Sequence, residues 1–169
     1  MTLLDRACLS IATGLHLSYI PFRLTRGLGL RGGRWTGAGL VGALWGWALV
    51  YALPEDPFRL GLALSTATVL AFAVCGRAER ILQVHDDPRI VVDETVGFWV
   101  AVAGMPRTLP LLVAGLVLFR ALDALKLPPF SRLERLPGGV GIVMDDVGAA
   151  VAANILLRGA LALCPGAFA

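Results

Sequence analysis

The sequence predicts an all-α fold, a small polytopic membrane helix bundle built from a single domain, residues 1–169. Hydrophobic residues make up 57% of the chain, and its mean hydropathy is +0.75. Only 16% of the residues are charged, whereas a typical soluble domain has roughly a quarter. The apolar residues also fall into long runs that end at proline, glycine or arginine, which is typical of membrane-spanning helices.

The charge distribution predicts a membrane partner and excludes a nucleic-acid partner. The net charge of +3 comes mostly from arginines, since Lys126 is the only lysine. These arginines lie at the ends of hydrophobic runs, where they anchor loops, and form no continuous basic stripe. Cys8, Cys75 and Cys164 are far apart and lie among apolar residues, so neither a disulfide framework nor a zinc site is indicated.

The N-terminal segments are predicted to lie at the membrane surface. Residues 7–22 carry no formal charge and lie between Arg6 and Arg23, which favours an interfacial or partly inserted helix. The next segment, residues 23–36, is rich in glycine and arginine. Exposed backbone N–H groups and guanidinium groups there suit a phosphate, and a cytoplasmic membrane anchor is the alternative.

The rest of the chain predicts five crossing helices with alternating directions. Proline or charged residues bound each apolar run, and the predicted helices cover Gly37–Leu53, Leu60–Cys75, Ile90–Met105, Thr108–Lys126 and Ile142–Leu163. Arginines are concentrated before the first of these helices and after the second. The positive-inside rule therefore places both of these arginine-rich segments in the cytoplasm.

This topology brings acidic residues that are distant in sequence to one face of the membrane. Asp93 and Glu94 begin one predicted helix, and Asp123 lies at the end of the next. Asp145 and Asp146 lie near the start of the last helix. All five are therefore expected at the cytoplasmic helix ends, where burial without a cation would cost several kcal/mol or more.

The chemistry that fits these residues is cation-dependent phosphate chemistry. Mg²⁺ prefers oxygen ligands and commonly works through a few carboxylates together with substrate phosphate. We predict metal ligation and catalysis by Asp93, Glu94, Asp123, Asp145 and Asp146. Positive groups and exposed N–H groups near a helix start can bind a phosphate, so the predicted substrate-binding residues are Arg120, Lys126, Gly138, Gly139 and the neighbouring Asp86.

Three sequence blocks in this order resemble the phosphatidylglycerophosphatase A family. They are HDDPRIVVDETVGFW (residues 85–99), FRALDALK (residues 119–126) and GGVGIVMDDVGAA (residues 138–150). The resemblance implies a multi-pass, Mg²⁺-dependent enzyme of the bacterial inner membrane that converts phosphatidylglycerophosphate into phosphatidylglycerol. It also implies a cytoplasmic site in which Asp86 joins the five acids, with Arg120 and Lys126 as the basic residues. One departure is RWTGAG (residues 34–39), where the family usually has a Pro-Gly-Thr-x-Gly-Ser-like block.

Other functions remain open at the level of sequence. The same chemistry could act on an α-ribazole-phosphate type of cobalamin intermediate, or the acids could relay ions or protons in a transporter. A membrane protein whose helix-end acids simply face water is a further alternative. Phosphatases that use a cysteine, haloacid-dehalogenase-like aspartate or histidine nucleophile are disfavoured because their residue patterns are absent.

Overall fold

The computed structural model describes residues 1–28, 36–126, 128 and 130–168, and within them every regular element is helical. The all-α prediction is confirmed. The described residues form the α-helices α1 (Leu3–Ala12), α2 (Tyr19–Gly27), α3 (Ala38–Leu49), α4 (Pro57–Leu82), α5 (Val92–Ala101), α6 (Leu109–Leu125) and α7 (Gly139–Leu163). Short 3₁₀ turns cover Val50–Ala52, Phe130–Arg135 and Pro165–Phe168.

The N-terminal segment is two helices where the sequence predicted one. Gly14, Leu15 and His16 all have positive φ angles, of 56°, 56° and 65°, so the helical path breaks between α1 and α2. The break also leaves the Ala12 carbonyl free to accept from a distant part of the chain: the backbone N–H of Val91 donates to it at 2.7 Å. Much of the predicted glycine- and arginine-rich segment, residues 29–35, lies outside the described residues.

Helix α4 extends further than predicted. The Asp56 side chain caps its N-terminus by accepting from the backbone N–H of Arg59 at 2.9 Å, and Pro57 occupies the first turn. The helix ends at Leu82, not at Cys75, and a left-handed Gln83 terminates it. The apolar run stops at Cys75 because Arg77, Glu79 and Arg80 follow, but the helix continues and Ala78 is still fully buried.

Helix α5 is the centre of the bundle and contacts α3, α4, α6 and α7. It has only 10 residues, or about 15 Å at 1.5 Å per residue, and is shorter than the predicted 90–105. Close packing with α3 depends on glycine, since a Cβ at Gly42 would overlap the carbonyl oxygen of Val91. The hydroxyl of Thr95 donates to the Gly42 carbonyl at 2.8 Å, and Trp99 Nε1 donates to that of Gly46 at 2.8 Å.

Helix α7 packs against α5 through a stripe of small and polar side chains. Asp146, Ala149, Ala150 and Ala153 are buried. Asn154 follows Ala153 directly, and its Nδ2 donates to the carbonyls of residues 100, 101 and 103 at 3.0, 3.1 and 3.1 Å. The stripe both brings the two helices close and satisfies carbonyls at the C-terminus of α5.

Two ends of the bundle can be distinguished. The acid end contains the N-termini of α3, α5 and α7 with the C-termini of α4 and α6; the far end contains the opposite termini. Among the described residues, two helices, α4 and α7, are long and apolar enough to cross a membrane. Helix α5 spans only about half of a hydrocarbon core of about 30 Å, so five crossings remain a prediction.

Candidate active site

Three of the predicted acids meet in a compact group, hereafter the carboxylate cluster: Asp93, Glu94 and Asp146. Asp93 and Glu94 lie in the first turn of α5, and Asp146 faces them from α7, about two turns after its start at Gly139. One ligand oxygen of each lies within 4.8 Å of the other two. The fold therefore unites acids that are more than fifty positions apart in the chain.

The environment of the carboxylate cluster suits a cation. Asp93 and Asp146 are each only 5% exposed. Asp93 Oδ1, Glu94 Oε2 and Asp146 Oδ2 are buried and have no hydrogen-bond partner. Unpaired buried carboxylate oxygens are strongly unfavourable, whereas a hard divalent cation would stabilise three of them at once. These residues therefore fit the metal that the sequence predicts.

Arg120 lies beside the carboxylate cluster and connects it to Asp123. Its Nη1 atom is 2.8 Å from Asp123 Oδ2 and 3.6 Å from Glu94 Oε1. Helix α3 leaves room for this arrangement at Gly39, where a Cβ would lie 2.6 Å from Arg120 Nη2 and overlap Glu94 Oε1. The structure thus pairs Asp123 with arginine, adjacent to the three clustered acids.

A second charged group surrounds Lys126 at the end of α6. The Nζ atom of Lys126 lies 3.0 Å from Glu134 Oε2, 3.2 Å from Asp145 Oδ2 and 3.4 Å from Asp86 Oδ2. Asp145 Oδ1 is buried and has no hydrogen-bond partner. Because Asp145 precedes Asp146 on α7, it connects the Lys126 group to the carboxylate cluster.

Gly138 and Gly139 lie at the start of α7, next to α4. A Cβ at Gly139 would overlap the carbonyl oxygen of Phe72 and come within 2.5 Å of the Gly76 nitrogen. Gly138 has a positive φ of 62° and would place a Cβ 3.8 Å from Glu79 Oε2. Close helix packing accounts for Gly139, and substrate binding by these two glycines stays a prediction.

Two neighbours of the site are not in the predicted set. Glu134 lies between two arginines in a polar segment, so nothing in its local sequence distinguishes it from an ordinary surface acid. Gly39 carries a detectable signal, because Gly39, Gly42 and Gly46 follow the spacing of a small-residue helix face. That spacing could have identified the face of α3 that packs against α5.

The comparison with known protein families shows the family to which the chain belongs. A family model described as Phosphatidylglycerophosphatase A matches residues 12–161. The chain belongs to the phosphatidylglycerophosphatase A family. Membership confirms the predicted resemblance and the predicted enzyme class, a phosphatase. All three sequence blocks lie inside the matched region.

Curated relatives agree with membership of the phosphatidylglycerophosphatase A family. Phosphatidylglycerophosphatase A of Haemophilus influenzae is 32% identical over 154 residues, covering 88% of this chain and 90% of the relative. Its Escherichia coli namesake is 33% identical over 115 residues, covering 67% and 66%. A Bacteroides thetaiotaomicron protein named "Putative phosphatidylinositol-3-phosphatase" is 33% identical over 150 residues, covering 83% and 92%. No solved structure matches the chain.

Proposed function

We propose that this chain hydrolyses the terminal phosphate monoester of phosphatidylglycerophosphate in the bacterial inner membrane, with Mg²⁺ as its cofactor. The observation that carries the proposal is the carboxylate cluster, in which buried oxygens of Asp93, Glu94 and Asp146 lack any hydrogen-bond partner. Family membership supplies the substrate class, since two relatives carry the name phosphatidylglycerophosphatase A. The reaction consumes water, breaks the phosphate ester bond and releases inorganic phosphate and phosphatidylglycerol.

The side chains divide into three roles in this proposal. Asp93, Glu94 and Asp146 would hold the cation. A bound cation would neutralise negative charge on the phosphoryl oxygens. Arg120 donates N–H groups to the phosphate, because a guanidinium can bind two anionic oxygens at once. Asp123 positions Arg120 through their 2.8 Å contact.

Lys126 provides a second positive charge at the edge of the site. Its ammonium is shared among Glu134, Asp145 and Asp86, so a phosphate group can replace one carboxylate partner without a net loss of ion pairing. We assign Asp145 and Asp86 to orientation of this lysine. Asp145 also remains a candidate for cation ligation, through its unpartnered Oδ1 atom.

The distribution of arginines supports a cytoplasmic site. Arg59, Arg107 and Arg158 lie on elements at the far end, whereas the elements at the acid end include Arg77, Arg80, Arg89, Arg132 and Arg135. Cytoplasmic loops carry the excess of basic residues in membrane proteins. We therefore propose a multi-pass topology with the acid end in the cytoplasm.

A substrate panel with the purified protein in detergent micelles tests the proposal. We expect phosphate release from phosphatidylglycerophosphate that stops when EDTA is added and returns with excess Mg²⁺. Phosphatidylinositol 3-phosphate belongs in the panel because of the Bacteroides relative, and α-ribazole phosphate tests the soluble-substrate alternative. Faster hydrolysis of either alternative would contradict the proposed substrate, and full activity in EDTA would contradict the proposed cofactor.

A further inference from the structure

A cavity of about 660 Å³ opens at the far end of the bundle. It lies between the turn that joins α3 to α4 and the turn that joins α5 to α6, and we call it the far-end cavity. Its volume is within the range of about 300–1,000 Å³ that is usual for small-molecule sites. None of the residues of the carboxylate cluster lines it. Trp99, its lining residue on α5, is about 9 Å further along the helix axis than Asp93.

Two guanidinium groups line the far-end cavity, and both contact backbone carbonyls. Arg107 Nη2 donates to the carbonyls of Leu53 and Pro54 at 2.7 and 3.3 Å. Arg158 donates to the Asn154 side chain and to the Ala103 carbonyl, each at 2.8 Å. Within the described part of the chain, neither arginine forms an ion pair with a carboxylate.

This arrangement leaves positive charge available to a ligand. A guanidinium has five N–H groups, and the described contacts leave Arg107 Nε and Arg158 Nη1 without an acceptor. Glu55 also lines the cavity, but two arginines against one acid still give a net positive lining. An anionic ligand is therefore favoured over a neutral or cationic one.

The remaining walls of the far-end cavity are apolar. Leu60 and Leu64 contribute from α4, and Trp99 from α5. Val102, just after α5, and Val50, in the 3₁₀ turn after α3, complete the wall. Gly61 also lines the cavity, and a Cβ built on it would meet nothing within 4 Å. A free anion would leave these walls in contact with water, whereas an acyl chain would cover them.

We propose that the far-end cavity binds an anionic phospholipid, with its phosphate at Arg107 and Arg158 and the upper part of an acyl chain against Leu60 and Leu64. This inference rests on the membrane location in the proposed function, but it does not depend on the phosphatase reaction. The bound lipid would stabilise the far end of the bundle and need not be a substrate or a product.

Native mass spectrometry of the purified full-length protein in detergent tests this inference. The probes are phosphatidylserine, which is anionic and is neither the proposed substrate nor the product, zwitterionic phosphatidylcholine, and glycerophosphoserine, which has the same headgroup without acyl chains. We expect phosphatidylserine to bind at least about fivefold more tightly than phosphatidylcholine, a difference of about 1 kcal/mol. Glycerophosphoserine should not compete at equal concentration.

A matched pair of variants locates the binding. Gly61→Phe fills the far-end cavity from α4, whereas Gly159→Phe makes the same change at an exposed, equally open helical position outside it. We expect phosphatidylserine affinity to fall at least about fivefold in Gly61→Phe and to stay at the wild-type value in Gly159→Phe. Equal binding to both variants, or full competition by glycerophosphoserine, would overturn the proposal.

The contribution of charge is tested separately with Arg158→Gln. This variant should lose the preference for phosphatidylserine over phosphatidylcholine, and a retained preference would count against the proposal. Arg107 is less suitable for this test because it also holds the α3–α4 turn. Gly61→Phe should keep wild-type phosphatase activity in detergent. If the wild-type protein binds phosphatidylserine selectively but hydrolyses no substrate, the proposed function fails and this inference stands.

Discussion

The acid end and the far end of this bundle treat buried polar groups in opposite ways. At the acid end, carboxylate oxygens of Asp93, Glu94 and Asp146 are buried without partners. At the far end, Asn154 uses its side-chain amide on three backbone carbonyls. Unsatisfied polar groups are rare in folded proteins and need an explanation. The difference indicates that the acid end is arranged for ligand binding, whereas Asn154 is arranged for stability.

The largest expected effect is loss of activity at the carboxylate cluster. Asp146→Asn removes one negative charge from the proposed cation site, and we expect kcat/KM to fall about 10³-fold, more than the ~10–100-fold typical of outer-shell partners. Thermal stability in detergent should not fall, because the substitution also relieves repulsion between buried carboxylates. Phosphate release and thermal unfolding measure the two effects.

The control for this prediction makes the same substitution at the far end. Asp56 caps α4, and asparagine caps helices about as well as aspartate. Asp56→Asn should therefore keep wild-type activity. Equal activity of the wild-type protein and Asp146→Asn would contradict the proposed role of the carboxylate cluster in catalysis.

The next effect concerns Arg120, the positive group nearest to the carboxylate cluster. Arg120→Gln should lower kcat/KM about 100-fold, and Arg120→Lys about 10-fold, because lysine keeps the charge but loses the bidentate geometry. Arg80→Gln is the matched control, since Arg80 Nε donates to the Gly76 carbonyl of its own helix at 3.0 Å. Similar losses in Arg80→Gln and Arg120→Gln would indicate a general effect of charge and not a phosphate-binding role.

A smaller effect is expected at Gly39, where α3 touches the site. The added methyl of Gly39→Ala would displace the ends of the Glu94 and Arg120 side chains, and we expect about a 10-fold loss of kcat/KM because small misplacements at a reacting centre are costly. Folding should persist, since both displaced groups end flexible side chains. Gly159→Ala, at an open helical position, should be fully active. Full activity of Gly39→Ala would show that the close approach of α3 is dispensable.

At the far end the expected effect is on stability and not on activity. Asn154→Leu leaves the Ala101 carbonyl without its described donor, whereas the carbonyls of Val100 and Ala103 still accept from the Ala103 N–H and from Arg158. The loss should lower the free energy of unfolding by about 1–3 kcal/mol. The kcat of the folded fraction should not change. Leu156→Ala, on an exposed part of α7, is the comparison. A variant as stable as wild type would show that water or lipid satisfies the Ala101 carbonyl.

The smallest effect is a pH dependence at the acid end. His85 Nδ1 lies 2.5 Å from Glu79 Oε1, and this hydrogen bond raises the pKa of His85 above its ordinary value. Its stabilisation is therefore fully present below the unfolded-state pKa of about 6.5 and is lost as the pH rises through the higher folded-state pKa. Because the side chain is half exposed, the change in unfolding free energy should stay below about 1 kcal/mol. It should disappear in His85→Gln; an unchanged pH dependence in that variant would rule His85 out as its source.

Much of the fold follows directly from the pattern of apolar runs. Helices α3, α4, α6 and α7 lie where prolines and charged residues bound those runs. Two departures from the predicted bounds have identifiable causes. The break between α1 and α2 depends on left-handed backbone at Leu15 and His16, which these residue types do not signal, and α4 continues through charged residues that the apolar pattern treats as a loop.

The acidic site was partly predictable for the same reason. Because successive helices alternate in direction, Asp93, Glu94 and Asp146 lie at the same end of the bundle, whatever the exact packing of the helices. The contact of Glu134 with Lys126 could not be predicted. The residues that separate the two in sequence have no helical periodicity, so their relative position in space does not follow from spacing.

The sequence by itself determined the helical class, the gathering of acids at one end and the family. Local periodicity and ordered motifs suffice for these conclusions, because they depend on residue type and spacing alone. Only the tertiary structure decided which acids share buried, unpartnered oxygens and which are neutralised by Arg120 or Lys126. That choice depends on distances of a few ångströms between side chains of different helices, and those distances are set by close packing at residues such as Gly39, Gly42 and Gly97.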